Sequence, residues 1–238
     1  MGCCGFAVGQ QRYFREFDAI EVQQTFYEPP RPETAARWRE RAGPHFHFAI
    51  KAWQAITHES SSPTYRRMRT ALPPPARARM GAFRPTREVA TAWERTAQVA
   101  LALRAEIVLL QCPASFEAHP ENVNNLRRFC EAIDRHGLAL AWEARGGWPE
   151  DLVEALCRDL NLVHAFDPFQ GAYRVAGMGL RYFRLHGIGG SRYRYTAADL
   201  EQLAEWVDQG PAYVFFNNLA MLDDARRFRD LISHRTAG

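Results

Sequence analysis

The chain has 238 residues, 47% of them apolar and 24% charged, with a formal net charge of +3. That length buries a full core without a disulfide or metal staple, and the composition excludes a disordered or fibrous chain. The small net charge does not by itself imply a nucleic-acid partner, and no apolar run is long enough to span a bilayer.

Short apolar runs alternate with longer amphipathic stretches, the pattern of a parallel α/β fold. In chain order, strands are predicted over 2–7 and 19–23, then a helix over Thr34–Arg41 and a strand over 46–51. A long connection, 63–85, follows and contains Pro73-Pro74-Pro75. Thr86 then reads as the N-cap of a helix over Arg87–Leu103. A strand over 106–111, a helix over Glu121–His136 with Gly137 just past its end, and a strand over 138–143 come next. The remainder alternates a helix over Pro149–Asp159, strands over 162–167 and 181–186, a helix over Ala197–Gln209, a strand over 212–217 and a helix over Asp223–Ile232. Eight strands with interleaved helices predict a TIM-barrel-like (β/α)8 fold, regular or irregular, as one domain over 1–238. Its long third βα connection falls on the face where barrel enzymes keep their active sites.

Alternate side chains of a strand point to opposite faces. Phe46, Phe48 and Ile50 therefore share one face and His47, Ala49 and Lys51 the other; Ile20 and Val22 oppose Ala19, Glu21 and Gln23. Leu138, Leu140 and Trp142 oppose Ala139, Ala141 and Glu143, while Leu162, His164 and Phe166 oppose Val163, Ala165 and Asp167. Bulky groups suit the layer beneath the helices, so the small residues face the barrel interior. Each inward row then ends in a polar side chain at the strand's C-terminal end. Glu21, Lys51, Gln111, Glu143, Arg145, Asp167, Arg184, His186 and Asn217, with Asn218 beside it, are expected to converge at one mouth. A closed salt-bridge network is the competing account of so many charges.

Of the thirty Lys and Arg residues, Lys51 is the only lysine. An ammonium can lose its proton when desolvated, whereas a guanidinium stays charged. Between 63 and 104 the chain carries nine arginines, interleaved with Tyr65, Phe83 and Trp93, against Glu88 and Glu94 only. This stretch is a solvated face or a contact for phosphates. Cys3, Cys4, Cys112, Cys130 and Cys157 have no C-x-x-C spacing, which predicts reduced thiols in a cytoplasmic protein.

At these residues the chain resembles the DUF72, or YecE-like, family. The matching segments are Gly2-Cys3-Cys4-Gly5-Phe6, Ile20 to Tyr27, Ile50-Lys51-Ala52 with Ile56-Thr57-His58, and Leu110 to Phe116. They continue with Trp142-Glu143-Ala144-Arg145, Arg184-Leu185-His186-Gly187 and Phe215-Phe216-Asn217-Asn218. Gly81-Ala82-Phe83-Arg84-Pro85-Thr86 looks like the archaeal-type variant. Gln23 stands where many members have Asn, and Leu219 where an acid is frequent. The resemblance implies a barrel with a polar pocket and supplies no reaction.

The expected function is an enzyme acting on a small anionic or phosphorylated ligand, by hydrolase, isomerase or lyase chemistry. Lys51, Glu143, His186, Glu21 and Asp167 are the acid/base candidates. Arg145, Arg184, His58, Gln111, Tyr27, Asn217 and Asn218 are the substrate-binding candidates. A Schiff-base lysine is a narrower form of this reading. Two alternatives are a nucleic-acid binder or phosphodiesterase using the 63–104 segment, and metal-assisted hydrolysis through Glu21, His58, Glu143, Asp167 and His186. No H-E-x-x-H or H-x-H spacing supports a metal, and no cofactor is predicted.

Overall fold

Side-chain alternation along parallel strands separates this protein into two apolar layers, one inside the sheet and one outside it. The computed structural model describes residues 1–171 and 179–236. In chain order it contains β1 (Gly2–Cys4), α1 (Gln10–Glu16), β2 (Ala19–Val22), α2 (Gln24–Tyr27), α3 (Pro32–Ala42), β3 (His47–Lys51) and α4 (Gln54–Thr57). A 3-10 turn (Pro63–Arg67), α5 (Pro74–Arg77), α6 (Arg87–Leu103), β4 (Ile107–Gln111), α7 (Pro120–Ala132), β5 (Ala139–Glu143) and α8 (Glu150–Asp159) follow. The chain closes with β6 (Val163–Phe166), β7 (Arg181–Leu185), α9 (Ala197–Val207), β8 (Ala212–Phe216) and α10 (Met221–Thr236). The strands pair in sequence order, all parallel, and β8 pairs with β1 to close the barrel.

The inner layer is Cys4, Ala19, Ala49, Ile107, Leu109, Ala141, Val163, Ala165, Tyr182 and Phe215. The outer layer, under the helices, includes Ile20, Phe48, Ile50, Leu140, Trp142, Leu162 and Phe183. The inward and outward sets are those expected from parity. The next inward position on several strands belongs to the polar ring at the mouth.

Three elements differ from expectation by three residues or more at one end. The first strand ends at Cys4 rather than at residue 7, because Gly5 turns into the positive-φ region at 97° and its N–H reaches across to the carbonyl of Glu21, 2.9 Å. Helix α7 stops at Ala132, four residues early. The carbonyl of Asp134 accepts from the buried Trp93 indole at 2.8 Å, and the Asp134 carboxylate caps the N–H of His136 at 2.8 Å. That turn, with His136 and Gly137 both left-handed, competes successfully with another helical turn. The last helix, α10, is longer than expected at both ends. Among the described residues no helix lies between β6 and β7, and His164 and Phe166 on the outer face of β6 are only half buried.

The third βα connection is folded rather than loose. Gly81, Ala82 and Phe83 have φ of 82°, 51° and 52°, and their N–H groups donate to the carbonyls of Ala55, Thr57 and Ile56 at 2.8, 3.2 and 2.9 Å. The three residues thereby cap α4 from outside. Phe83 anchors the turn, fully buried against Phe116 and Phe129 with ring centroids 5.3 and 5.2 Å away. A Cβ at position 81 would stand 2.3 Å from the His58 backbone. Gly81→Ala is therefore expected to destabilise the fold by about 1–3 kcal/mol, measured by denaturant unfolding. An unchanged midpoint would show that the turn can shift without disturbing α4.

Candidate active site

Arg184, on the inward face of β7, lies at the centre of the mouth and is 1% exposed. Its Nε and Nη2 donate to the two oxygens of Glu21 on β2, both at 2.9 Å, and its Nη1 donates to Oε2 of Glu143 on β5. Nη2 also lies 3.7 Å from Cys4 Sγ. Glu21 is fully buried and accepts further from the Tyr182 hydroxyl, 2.7 Å, and from the Gln23 amide. Burial works to raise the proton affinity of Glu21 and Glu143. The Arg184 charge, together with the hydrogen bonds each carboxylate accepts and the other nearby cations, outweighs it, holding Glu21 below the usual carboxylate range and Glu143 far below it.

The second oxygen of Glu143 faces the open side. It accepts from Arg145 Nε at 2.9 Å and from His186 Nε2 at 3.2 Å, while Arg145 Nη2 lies 3.2 Å from the same imidazole nitrogen. The amide of Asn217 lies 3.1 Å from His186 Nδ1. Donation from that amide leaves the imidazole proton on Nε2, aimed at Glu143. Asp167 accepts from the backbone N–H groups of His186, 2.7 Å, and Phe169, 3.1 Å, and from the Gln170 amide, 3.0 Å. Burial raises its proton affinity despite those donors. Its carboxylate positions the end of β7 and the following loop.

Lys51 stands apart from this network. It is 8% exposed, and its ammonium lies over the face of Phe26, 3.6 Å from the ring centroid. Among the described residues the ammonium makes no hydrogen bond and no ion pair. Burial is the largest influence on its proton affinity, followed by repulsion from Arg184; Glu21 and Glu143 oppose them only in part, and the lysine is lowered to about 7. His58 makes a T-shaped contact with Phe26, ring centroids 4.9 Å apart, with Nδ1 2.7 Å from the Thr57 hydroxyl. Burial and then the Lys51 charge push His58 down to about 3, so its ring is neutral.

The structure brings Glu21, Lys51, Glu143, Arg145, Asp167, Arg184, His186 and Asn217 to one end of the barrel, as expected. It gives three of the other candidates different work. Asn218 is buried with its amide on the Tyr193 carbonyl, 2.8 Å, and on Asp224, 2.7 Å, because it has the opposite parity to Asn217. Gln111 donates to the carbonyl of its neighbour Cys112. Tyr27 accepts from Arg67 Nη1 at 2.6 Å, with that guanidinium stacked 3.7 Å above its ring. Arg184 itself, expected as an anion clamp, is saturated by the two glutamates and closed to solvent.

Strand reading passed over Tyr182 and Cys4, although both share the inward parity of Arg184 and Glu21 and were accessible to it. Phe26 lies outside any strand and carried no such signal. A cavity of about 700 Å³ opens beside the ends of β5, β6 and β7, lined by residues including Glu143, Arg145, Trp148, His164, Asp167 and His186. Among the described residues no three His, Cys, Asp or Glu side chains are grouped to hold a metal ion.

An eight-stranded parallel barrel with charged strand ends at its C-terminal mouth is a (β/α)8 barrel of the TIM type. Within that class the chain belongs to the DUF72 family, whose model, described as "Protein of unknown function DUF72", matches residues 10–237. UPF0759 protein YecE of Escherichia coli (strain K12) is 35% identical over 51 residues, which span 21% of this chain and 19% of that protein. A crystal structure of a DUF72 family protein from Enterococcus faecalis V583 has a TM-score of 0.73 at 18% identity, covering 98% of this chain and 96% of that one. D-psicose 3-epimerase from Clostridium cellulolyticum H10, solved with D-tagatose, has a TM-score of 0.56 at 10% identity, covering 95% and 93%. At such identities the likeness is one of fold. No helix of the described residues is long and apolar enough to cross a membrane.

Removing Arg184 leaves two buried carboxylates without their cation. Arg184→Met is expected to cost about 3–5 kcal/mol in denaturant unfolding, the usual effect of breaking a buried pair from one side. A loss below ~1 kcal/mol would mean that water enters and screens the glutamates.

Because Lys51 is the only lysine, selective lysine labelling gives one side-chain NMR signal. Its titration midpoint is expected near 7, not near the ordinary 10.5. Arg145→Gln should raise the midpoint, since Arg145 lowers it. The folded protein then binds fewer protons than the unfolded chain between about 7 and 10.5, so this group's stability contribution rises with pH across that window. A midpoint at 10 or above would place the ammonium in water.

Proposed function

We propose that this protein is an enzyme that binds a small anionic or phosphorylated polar substrate at the C-terminal mouth of its barrel and moves protons with Lys51, Glu143 and His186. One observation carries the reading: two cationic groups at the mouth have unused donors. Lys51 Nζ has no partner among the described residues, and Arg145, its side chain 40% exposed, commits Nε to Glu143 and leaves Nη1 unused. Three cations, Arg184, Arg145 and Lys51, stand at the mouth with three carboxylates, and the donors left unused on Arg145 and Lys51 are what an anion would meet.

The roles follow from the contacts. Arg145 Nη1 offers an anion a charged donor at the rim of the cavity. His186, oriented by Asn217 and Glu143, can give and recover a proton at Nε2. An amine whose proton affinity lies near neutral pH can hold or release a proton in either direction, and such groups contribute roughly 10²–10⁴-fold to rate. Asp167 and Arg184 act through others, by holding His186 and Glu143. The epimerase solved with D-tagatose shares this fold, which supports testing sugar phosphates first. Five buried free cysteines support a reducing compartment, and we infer the cytoplasm.

A nucleic-acid role for the arginine-rich segment has less support. Arg67 stacks on Tyr27, Arg95 lies 4.5 Å over the Trp53 ring, Arg84 pairs with Glu59, and Arg79 lies 3.6 Å from Glu88. These arginines are largely committed within the chain. Binding to a duplex that weakened steeply with salt would restore that role.

Calorimetry with sugar phosphates and with inorganic phosphate tests the main reading. Arg145→Gln is expected to weaken binding about tenfold, the value of a charged hydrogen bond of ~1.4 kcal/mol. Lys51→Arg should fold and bind, yet lose turnover, because a guanidinium cannot release its proton. Equal affinity in wild type and Arg145→Gln would refute the anion site, and full turnover in Lys51→Arg would refute the role of the amine.

A further inference from the structure

We infer that Lys51 captures its substrate covalently, forming an imine with the carbonyl carbon of a phosphate-bearing aldehyde or ketone. This rests on the anion-binding reading above and names the reactive group of that substrate. Three features of the geometry support it. First, Lys51 Nζ has no hydrogen bond or ion pair among the described residues, so no contact must break before its lone pair is used. Second, among the described residues the fully buried polar side-chain atoms without a partner are Gln54 Oε1, Glu88 Oε2, His164 Nδ1 and Asn218 Oδ1. Lys51 Nζ is partnerless but not among them, so the amine keeps a small exposed surface, the residue being 8% exposed. Third, the ring of Phe26, 3.6 Å away, and the barrel wall shield the amine and would shield an imine from water.

The arrangement of protons separates this role from simple acid/base work. His186 is fixed between Asn217 and Glu143, as a proton carrier needs to be. Lys51 lacks any such guide. Besides the proton it can move, Lys51 adds a nucleophile, and desolvation beside other cations is how lysine amines are activated for that role. The arginines that do so here are Arg184 and Arg145.

The step balances without an oxidant or reductant. The Nζ lone pair attacks the carbonyl carbon, the C=O π electrons move to oxygen, and the oxygen takes a proton from the nitrogen. The resulting hydroxyl accepts a second proton and leaves as water while the nitrogen lone pair closes the C=N bond. Overall, one ammonium and one carbonyl give one iminium and one water. The iminium withdraws electrons from the neighbouring carbon and makes its proton more acidic.

A chain with one lysine permits a direct test on the intact wild-type protein. Pyridoxal 5′-phosphate and pyridoxal serve as paired probes, differing in the phosphate alone; borohydride fixes any imine, and peptide mass spectrometry locates it. The expected result is a single adduct on Lys51, forming at least tenfold faster with the phosphate-bearing aldehyde. Arg145→Gln should erase that preference while leaving the adduct on Lys51. The rate should also climb as pH passes through about 7 and the amine sheds its proton. Labelling confined to the Met1 amine, or none, with inorganic phosphate still bound in calorimetry, overturns the covalent inference and leaves the anion site standing. Equal rates for the two aldehydes on Lys51 overturn the phosphate-bearing substrate and the anion reading together.

Discussion

A guanidinium fully out of water, shared by two carboxylates, is the constraint on which the rest of the mouth depends. Isolated charges are very costly in a protein interior, and an ion pair there is tolerated only when its geometry is good and its remaining lone pairs are satisfied. Arg184 meets both conditions: its planar fork matches Glu21 bidentately and leaves Nη1 for Glu143. Tyr182 and Gln23 complete Glu21, while Arg145 and His186 complete Glu143. The three strands involved, β2, β5 and β7, are not neighbours, so the ion set braces the barrel across its axis.

That bracing has a chemical consequence. With Glu21 and Glu143 already hydrogen-bonded to Arg184, neither pairs with Lys51, and the lysine is left with an aromatic face. A lysine at this position is then the one cation whose charge is conditional. The third βα connection keeps it so. Gly81, Ala82 and Phe83 hold α4 and the Thr57-His58 pair in place, His58 holds Phe26, and Phe26 covers the ammonium. The cationic mouth and the reactive amine are thus two results of one arrangement.

Much of this was legible in the chain. The period of two along each strand separated Ala49 and Lys51 from Phe48 and Ile50, and Ala141 and Glu143 from Leu140 and Trp142, because a pleated strand has only two faces. The same rule distinguishes Asn217 from Asn218, and it would have found Tyr182. Partner choice was not legible. Arg145 and Arg184 look alike as strand-end arginines, yet one keeps a free donor and the other is saturated, a difference set by distance to carboxylates 41 and 163 residues away in sequence. The early end of α7 was also hidden, since the Trp93 indole that holds the Asp134 carbonyl belongs to another helix.

The amino-acid sequence by itself determined the barrel, its inward and outward faces, the polar ring at its mouth and the singularity of Lys51, because these follow from local periodicity and composition. Tertiary structure alone decided which charges neutralise each other, which donors stay unused and how dry the lysine is. Those properties depend on through-space contacts between strands far apart in the chain, and on how much water the closed barrel leaves around each group.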